Sequence, residues 1–337
     1  MATFDIFNND AFSVSQLTQT IVDLPRVPTM LGDMGIFREY GITTPTMMIE
    51  RTGSKLNLVP AAPRGGVGNT LQRNNRKLIP ISTNHLPQQD TILADVVYGV
   101  RAFGSETEVQ AMQTVVRQRL DLMKQNIDLT MEYHRIGALK GLVKDADGST
   151  TLLDVYDTFG MTQTNVFFNI NTANTSANPK ENSIKLKRQM RNALGGRGFS
   201  RVRVMCSESF FDKLVAHDNM KAAWDRWQDG NFNRQDQSTV DFEFAGVVYT
   251  VYEGIIGGSQ VIEDGFAYAF PEGVPGMFQT AFAPADYMET VNTMGAPYYA
   301  KQEPLPMNKG IHMESQSNPV CFNSLPEAVF KVSVAAS

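Results

Sequence analysis

At 337 residues, with 42% hydrophobic and 19% charged residues, the chain can bury a sizeable core and reads as folded over most of its length. A net charge of −5 excludes a dedicated nucleic-acid grip, which needs clustered Lys and Arg. Two cysteines, Cys206 and Cys321, exclude a disulfide framework or Cys-based metal cluster and fit a reduced compartment.

Residues 1 to 45 read as an arm of short apolar scraps and turn signals, with one short helix near Ser13 to Val22. The start, Met-Ala-Thr-Phe-Asp-Ile-Phe, lacks a basic region followed by an apolar stretch, so no secretory leader is expected. No apolar run approaches the ~18 residues that span a bilayer. Residues 50 to 90 follow as a long polar segment whose two strand-like arms flank a Pro/Gly tip at Pro63 to Gly68, the punctuation of a β-hairpin. Arms of roughly 12 residues reach about 40 Å at 3.3 Å per residue, and a lone hairpin of that length has little stability in water. It needs a surface outside its own domain, which points to an assembly subunit rather than a self-contained enzyme.

Thr91 to Tyr98 reads as a strand. Ser105-Glu-Thr-Glu108 then forms a capping box ahead of Val109, Met112, Val116, Leu120, Met123, Ile127 and Met131. Steps of three and four make these one apolar stripe of an amphipathic helix ending at Gly141. Some 35 residues give about 50 Å, a spine for the fold. Beyond it, Leu142 to Lys144 and Thr151 to Tyr156 read as a hairpin about the turn Asp145-Ala-Asp-Gly148, and Asn169 to Asn178 as a linker. A helix begins at Pro179 with Ile184, Met190 and Leu194 inward; Arg201 to Met205 is a strand, Ser207 caps a helix to Val215, and Asn219 to Trp227 is another. Val240 to Phe244 and Val247 to Tyr252 alternate as a hairpin. Phe266 to Phe270, Met277 to Phe282 and Ala328 to Val334 are further strands. The class is α+β without a βαβ rhythm.

Reactive constellations are scarce. His85, His134, His217 and His312 fall in no metal-ligand spacing. Gly65-Gly-Val-Gly68 lacks the Gly-Lys-Ser/Thr of a phosphate loop and reads as a hairpin tip. Asp145-Ala-Asp-Gly148 lacks the Glu of a calcium loop and reads as a turn. No cofactor, metal or catalytic residue is expected. The basic face at Lys180, Lys185, Lys187, Arg188 and Arg191 reads as solvated or set against a neighbouring subunit.

The order of these pieces resembles the major capsid proteins of tailed bacteriophages, in particular the lambda major head protein family, also called phage major capsid protein E. Local carriers are Ala138 to Val143 leading into Leu153-Asp-Val-Tyr-Asp-Thr-Phe-Gly160, where the family has a strand; Val204 to Leu214; Val247 to Glu253; and Glu314 to Pro319 followed by Leu325-Pro326. The resemblance implies the Hong Kong 97 capsid fold: an N-terminal arm (1–48), an extended loop (49–92), a peripheral domain with the spine helix (93–170), an axial domain (171–296) and a C-terminal return (297–337). It implies a virion protein made in the bacterial host cytoplasm, forming hexamers and pentamers of an icosahedral or prolate head around double-stranded DNA. Scaffold, portal and possible decoration proteins are the implied partners, with weak non-specific DNA contact and no membrane. The loop residues placed at subunit contacts are Arg51, Lys55, Leu58, Arg64, Gly65, Gly66, Arg73, Arg76 and Lys77. Some relatives join a loop Lys covalently to a neighbour's Asn; no partner for Lys55 or Lys77 is identifiable, and the link is not expected. The alternatives are an encapsulin-like nanocompartment shell and an oligomeric binding protein with a dimerisation hairpin.

Overall fold

The computed structural model describes residues 13–25, 29–51, 77–93, 108–171, 178–229, 241–256 and 259–335. Two compact units emerge: the described residues within 1–48, 80–134 and 280–321, and those within 49–79, 135–279 and 322–337.

The first unit is organised by the spine helix Glu108–Lys140 up to residue 134. Its stripe packs against Leu17, Ile21 and Leu24 of the arm and against Ile92, Phe282, Tyr298, Ala300, Ile311 and Met313. The short helix expected near Ser13 to Val22 is Val14–Asp23, and Ser13 caps it. An antiparallel sheet runs Tyr299–Pro304, Gly310–Ser317, Leu86–Leu93. The last strand starts at Leu86, five residues before the expected Thr91. Its Pro87 sits opposite Gln316 on an edge, where a missing N–H is tolerated. Residues 94–98 of the expected strand lie outside the described residues. A second sheet is ordered Phe37–Gly41, Phe278–Phe282, Pro319–Asn323. Thr46–Arg51 and Lys77–Ser82 pair with each other at the root of the expected hairpin, whose residues 52–76 are not among those described.

The second unit holds a six-stranded mixed sheet: Thr164–Phe167, Phe330–Ser333, Phe266–Glu272, Arg201–Cys206, Val247–Val251, Asp241–Phe244. Helix Pro179–Ala193 buries Ser183, Leu186 and Met190 rather than Ile184, which is half-buried. The Ser183 hydroxyl meets the buried Tyr249 hydroxyl at 2.6 Å, which anchors that phase. Helices Glu208–Ala216 and Asp218–Asp229 carry Phe211 and Trp224 onto Phe242, with Trp227 stacked on Trp224 at 5.0 Å between ring centroids.

Several expectations need correction. Val247–Val251 pairs parallel to Arg201–Cys206, so one crossover of the βαβ kind is present. Polar residues 230–240 and a hairpin interrupt it, which hides the rhythm in the sequence. The strand expected over Thr151 to Tyr156 stops at Asp154. The Asp154 carboxylate accepts from the Asp157 N–H at 2.9 Å and starts the one-turn helix Val155–Phe159, closed by Gly160 at φ +63°. Gly141 (φ +89°) ends the spine beneath Tyr156, where a Cβ would lie 2.1 Å from the ring. The expected linker begins inside the core: Phe168 and Ile170 are buried, and their N–H groups bond the carbonyls of Ser333 and Val334. Thr164–Phe167, expected with the peripheral segment 93–170, shares its sheet with strands of the 171–296 segment.

Candidate assembly site

On the spine helix, Val116, Leu120, Met123, Ile127 and Met131 are each no more than 4% exposed. The side chains of Val109 and Met112, and all of Ser105, lie outside the described part. One position along from this stripe runs a second row at four-residue spacing: Lys124, Asp128 and Glu132, all buried. Each holds a different piece of chain. Lys124 Nζ donates to the carbonyls of Ile21 (2.9 Å), Val22 (3.3 Å) and Leu24 (2.5 Å), the orphan acceptors at the end of the arm helix. A cation there also faces the negative end of the helix dipole. Asp128 accepts from the Tyr298 hydroxyl. Glu132 accepts from the N–H groups of Leu31 (2.7 Å) and Gly32 (3.2 Å), which open the short helix Met30–Met34. The spine thus fixes both helices of the arm by charge, and the first of them by apolar contact as well.

A polar seam lies in the same unit. Ser315, Gln316, Ser317 and Asn318 are buried in the closing segment. Gln316 Nε2 donates to Asp286 Oδ1 at 2.7 Å, and Asn318 Nδ2 donates to the Pro284 carbonyl at 3.1 Å. His85 Nδ1 lies 2.7 Å from Asn318 Oδ1, and the Tyr287 hydroxyl donates to Glu314 at 3.0 Å. Burial and the neighbouring carboxylates of Glu314 and Asp286 push the Tyr287 hydroxyl pKa up.

In the second unit, the buried Arg203 guanidinium is ringed by Glu272, Asp241 (2.8 Å) and Thr250 (2.6 Å). Lys140 pairs with Glu263 and donates to the Val261 carbonyl at 3.0 Å. Burial works to raise the Glu263 pKa, yet the Lys140 hydrogen bond and charge outweigh it and hold the carboxyl below its ordinary value. Asp147 accepts from the N–H and hydroxyl groups of Ser149 and Thr150, the closed geometry of a turn.

Of the loop residues singled out in the sequence, Lys55, Leu58, Arg64, Gly65, Gly66, Arg73 and Arg76 lie outside the described residues. Arg51 and Lys77 end and begin the paired strands at the hairpin root. On the basic helix Lys180, Lys185, Arg188 and Arg191 are exposed and Lys187 is half-buried; Lys185 pairs with Glu181 at 2.7 Å. Among the described residues no His, Cys, Asp or Glu group is arranged to hold a metal ion, and no helix is long and apolar enough to cross a membrane. Sequence reading missed the Lys124, Asp128 and Glu132 row. Its signal was three ionisable residues in four-residue register beside the apolar stripe.

Comparison with known proteins agrees with this architecture. The family model of phage major capsid protein E matches residues 13–334. The chain is 25% identical over 342 residues to the major capsid protein of Pseudomonas phage KPP10, covering 95% of this chain and 96% of the relative. It is 22% identical over 354 residues to that of Salmonella phage Felix O1, again covering 95% and 96%. The crystal structure of a candidate prophage capsid protein from E. coli CFT073 superposes with a TM-score of 0.59 at 14% identity, covering 96% of this chain and 99% of that one. The fold is therefore of the Hong Kong 97 capsid type, and the chain belongs to the phage major capsid protein E family, a self-associating structural protein of a phage shell.

Proposed function

We propose that the chain builds a closed icosahedral or prolate phage head from hexamers and pentamers, around double-stranded DNA. The observation that carries this is the family match over residues 13–334, nearly the whole chain and in one unbroken order. In this reading the extended loop that lies on a neighbouring subunit is the part of 49–92 beyond the paired strands Thr46–Arg51 and Lys77–Ser82, since Leu86–Leu93 belongs to the chain's own sheet and core, and residues 1–48 are the N-terminal arm. The spine helix belongs to a peripheral domain, and the helices of 178–229 belong to an axial domain at the capsomer centre. A scaffold, a portal and a possible decoration protein are its partners, and the virion is its destination after synthesis in the host cytoplasm.

The charge supports a lining that encloses DNA without gripping it. Each neutralised phosphate adds salt-dependent affinity, which opposes both packing and release, and a net charge of −5 supplies little of it. Electron microscopy of the purified protein tests the reading: closed or malformed shells are expected, and small discrete rings would refute it. Deleting residues 63–68 tests the loop. Shells should vanish while the subunit's circular dichroism and thermal midpoint hold; an unfolded subunit would place the loop in its own core instead.

A further inference from the structure

Three residues lie between the hairpin strand Lys77–Ser82 and the sheet strand Leu86–Leu93, and each is tied down. The Thr83 N–H and hydroxyl both donate to the Pro45 carbonyl, at 2.9 and 3.0 Å. Pro45 immediately precedes the strand Thr46–Arg51, so this pair joins the two stems of the hairpin. The Asn84 N–H donates to the Pro319 carbonyl at 2.9 Å, and His85 Nδ1 lies 2.7 Å from Asn318 Oδ1. Those two bonds join the stems to the closing segment. The polarity of the second follows from the seam behind it. Carboxylates only accept, so the Gln316 amide must turn its Nε2 to Asp286 (2.7 Å) and Glu314 (3.3 Å). Its Oε1 is left facing Asn318, whose Nδ2 donates to it at 3.1 Å and to the Pro284 carbonyl at 3.1 Å. Both hydrogens of that amide are then used, so Asn318 offers His85 only its oxygen. The ring nitrogen must be the donor. Asn318 is 5% exposed, whereas His85 is exposed. A buried amide of fixed orientation therefore sets an exposed ring at the hairpin root.

We propose that His85 is a positioning residue of the hairpin: held as the Nδ1–H tautomer by Asn318, it fixes residues 83–85 on the closing segment and so sets the course on which the paired strands start. A two-stranded ribbon has little stability alone, so its direction depends on its root. A direction fixed at the root before assembly removes part of the ordering cost that docking otherwise carries. The proposal rests on the reading of the segment beyond these strands as an extended loop laid on a neighbour.

Nitrogen NMR of the unassembled subunit at mildly alkaline pH reads the tautomer: the neutral ring should carry its proton on Nδ1, and a proton on Nε2 would overturn the proposal. His85→Phe removes the donor from an exposed position, and His85→Asn returns one, its amide nitrogen standing where Nδ1 does. In His85→Phe the Asn84 N–H should exchange about tenfold faster, the worth of one hydrogen bond, and the yield of closed shells should fall by about tenfold with the thermal midpoint nearly unchanged. His85→Asn should keep both within about threefold of the parent. Exchange that Phe leaves unchanged, or that Asn alters as much as Phe, would overturn the proposal. Normal shells from His85→Phe beside faster exchange would overturn the role in placing the hairpin. Should His85→Phe fail to fold, His85→Gln, whose amide nitrogen stands at Nε2, carries the same comparison. No shells from the parent, or shells that persist without residues 63–68, would instead sink the loop reading, while the tautomer and the exchange still decide what holds the root.

Discussion

Replacing Lys124 by Met removes the ammonium that binds the arm helix while keeping the length of the side chain. Three hydrogen bonds from a charged donor are lost, each worth about 1.5 to 3 kcal/mol before desolvation is counted. Burying the ammonium offsets much of that sum, and the freed carbonyls at a helix end can partly find water. The net cost should be about 2 to 4 kcal/mol, and it should fall on the arm. Lys124 touches the arm through Ile21, Val22 and Leu24, whereas the spine keeps its apolar stripe. Native-state hydrogen exchange on the unassembled subunit reads this locally. Amides of residues 17–24 should lose roughly 30- to 900-fold of protection, at 1.36 kcal/mol per decade. The strands Tyr299–Pro304 and Gly310–Ser317 should change far less. Arm protection within about threefold of the parent, or an equal loss across those strands, would refute the idea that the spine holds the arm through this charge.

On the spine's two faces, Leu120→Ala and Met123→Ala should each cost about 2 to 5 kcal/mol in denaturant unfolding, while Gln118→Ala and Gln125→Ala should stay within about 0.5 kcal/mol. Burial pushes the Tyr156 hydroxyl up to about 12, against 10.0 in the unfolded chain, so its contribution is whole below pH 10 and is lost as pH rises from there through 12. Tyr156→Phe should flatten that part of an alkaline unfolding curve. Glu263 carries the opposite sign: its depressed carboxyl stabilises the fold above the ordinary value of 4.5 and loses this as pH falls. Lys140→Met should raise the Glu263 pKa, read by NMR titration. Charge reversal of Lys185, Lys187 and Arg188 should alter shell yield more than DNA retention; a salt-sensitive gel shift of duplex DNA that those changes abolish would make the helix a nucleic-acid contact.

The elements legible in the sequence were those whose burial has a simple period. Steps of three and four marked the spine from Val116 to Met131; Val247–Val251 was recognised as a strand, but its expected alternation is absent, because four consecutive residues of this inner strand are buried. The cap with a short oxygen-bearing side chain at Ser207 was equally plain. What escaped notice was burial that breaks the hydrophobic code. Lys124, Asp128 and Glu132 carry charges that ordinarily mark a solvent face, and only their partners, about 100 or more residues away, reveal them as interior. Ser183 escaped for the same reason, its burial secured by one hydroxyl on Tyr249. Val155 and Tyr156 favour strands, and the cap at Asp154 overrode that preference. The Met288 to Met294 loop has no period at all, so the exposure of Met288, Val291 and Met294 was visible only in the structure.

The interleaving of the two units has a consequence for synthesis. In the first, Leu86–Leu93 finds its partner, among the described residues, in Gly310–Ser317, more than two hundred residues later. In the second, Phe330–Ser333 fills the place between Thr164–Phe167 and Phe266–Glu272, one strand in from the sheet's edge. Neither unit can close until residues 317 and 333 respectively have been made, however early the spine helix forms. Such long-range pairings fold late. Nascent chains crowded on one messenger therefore lack finished surfaces with which to join one another, and shell growth draws on subunits that have already completed their folding.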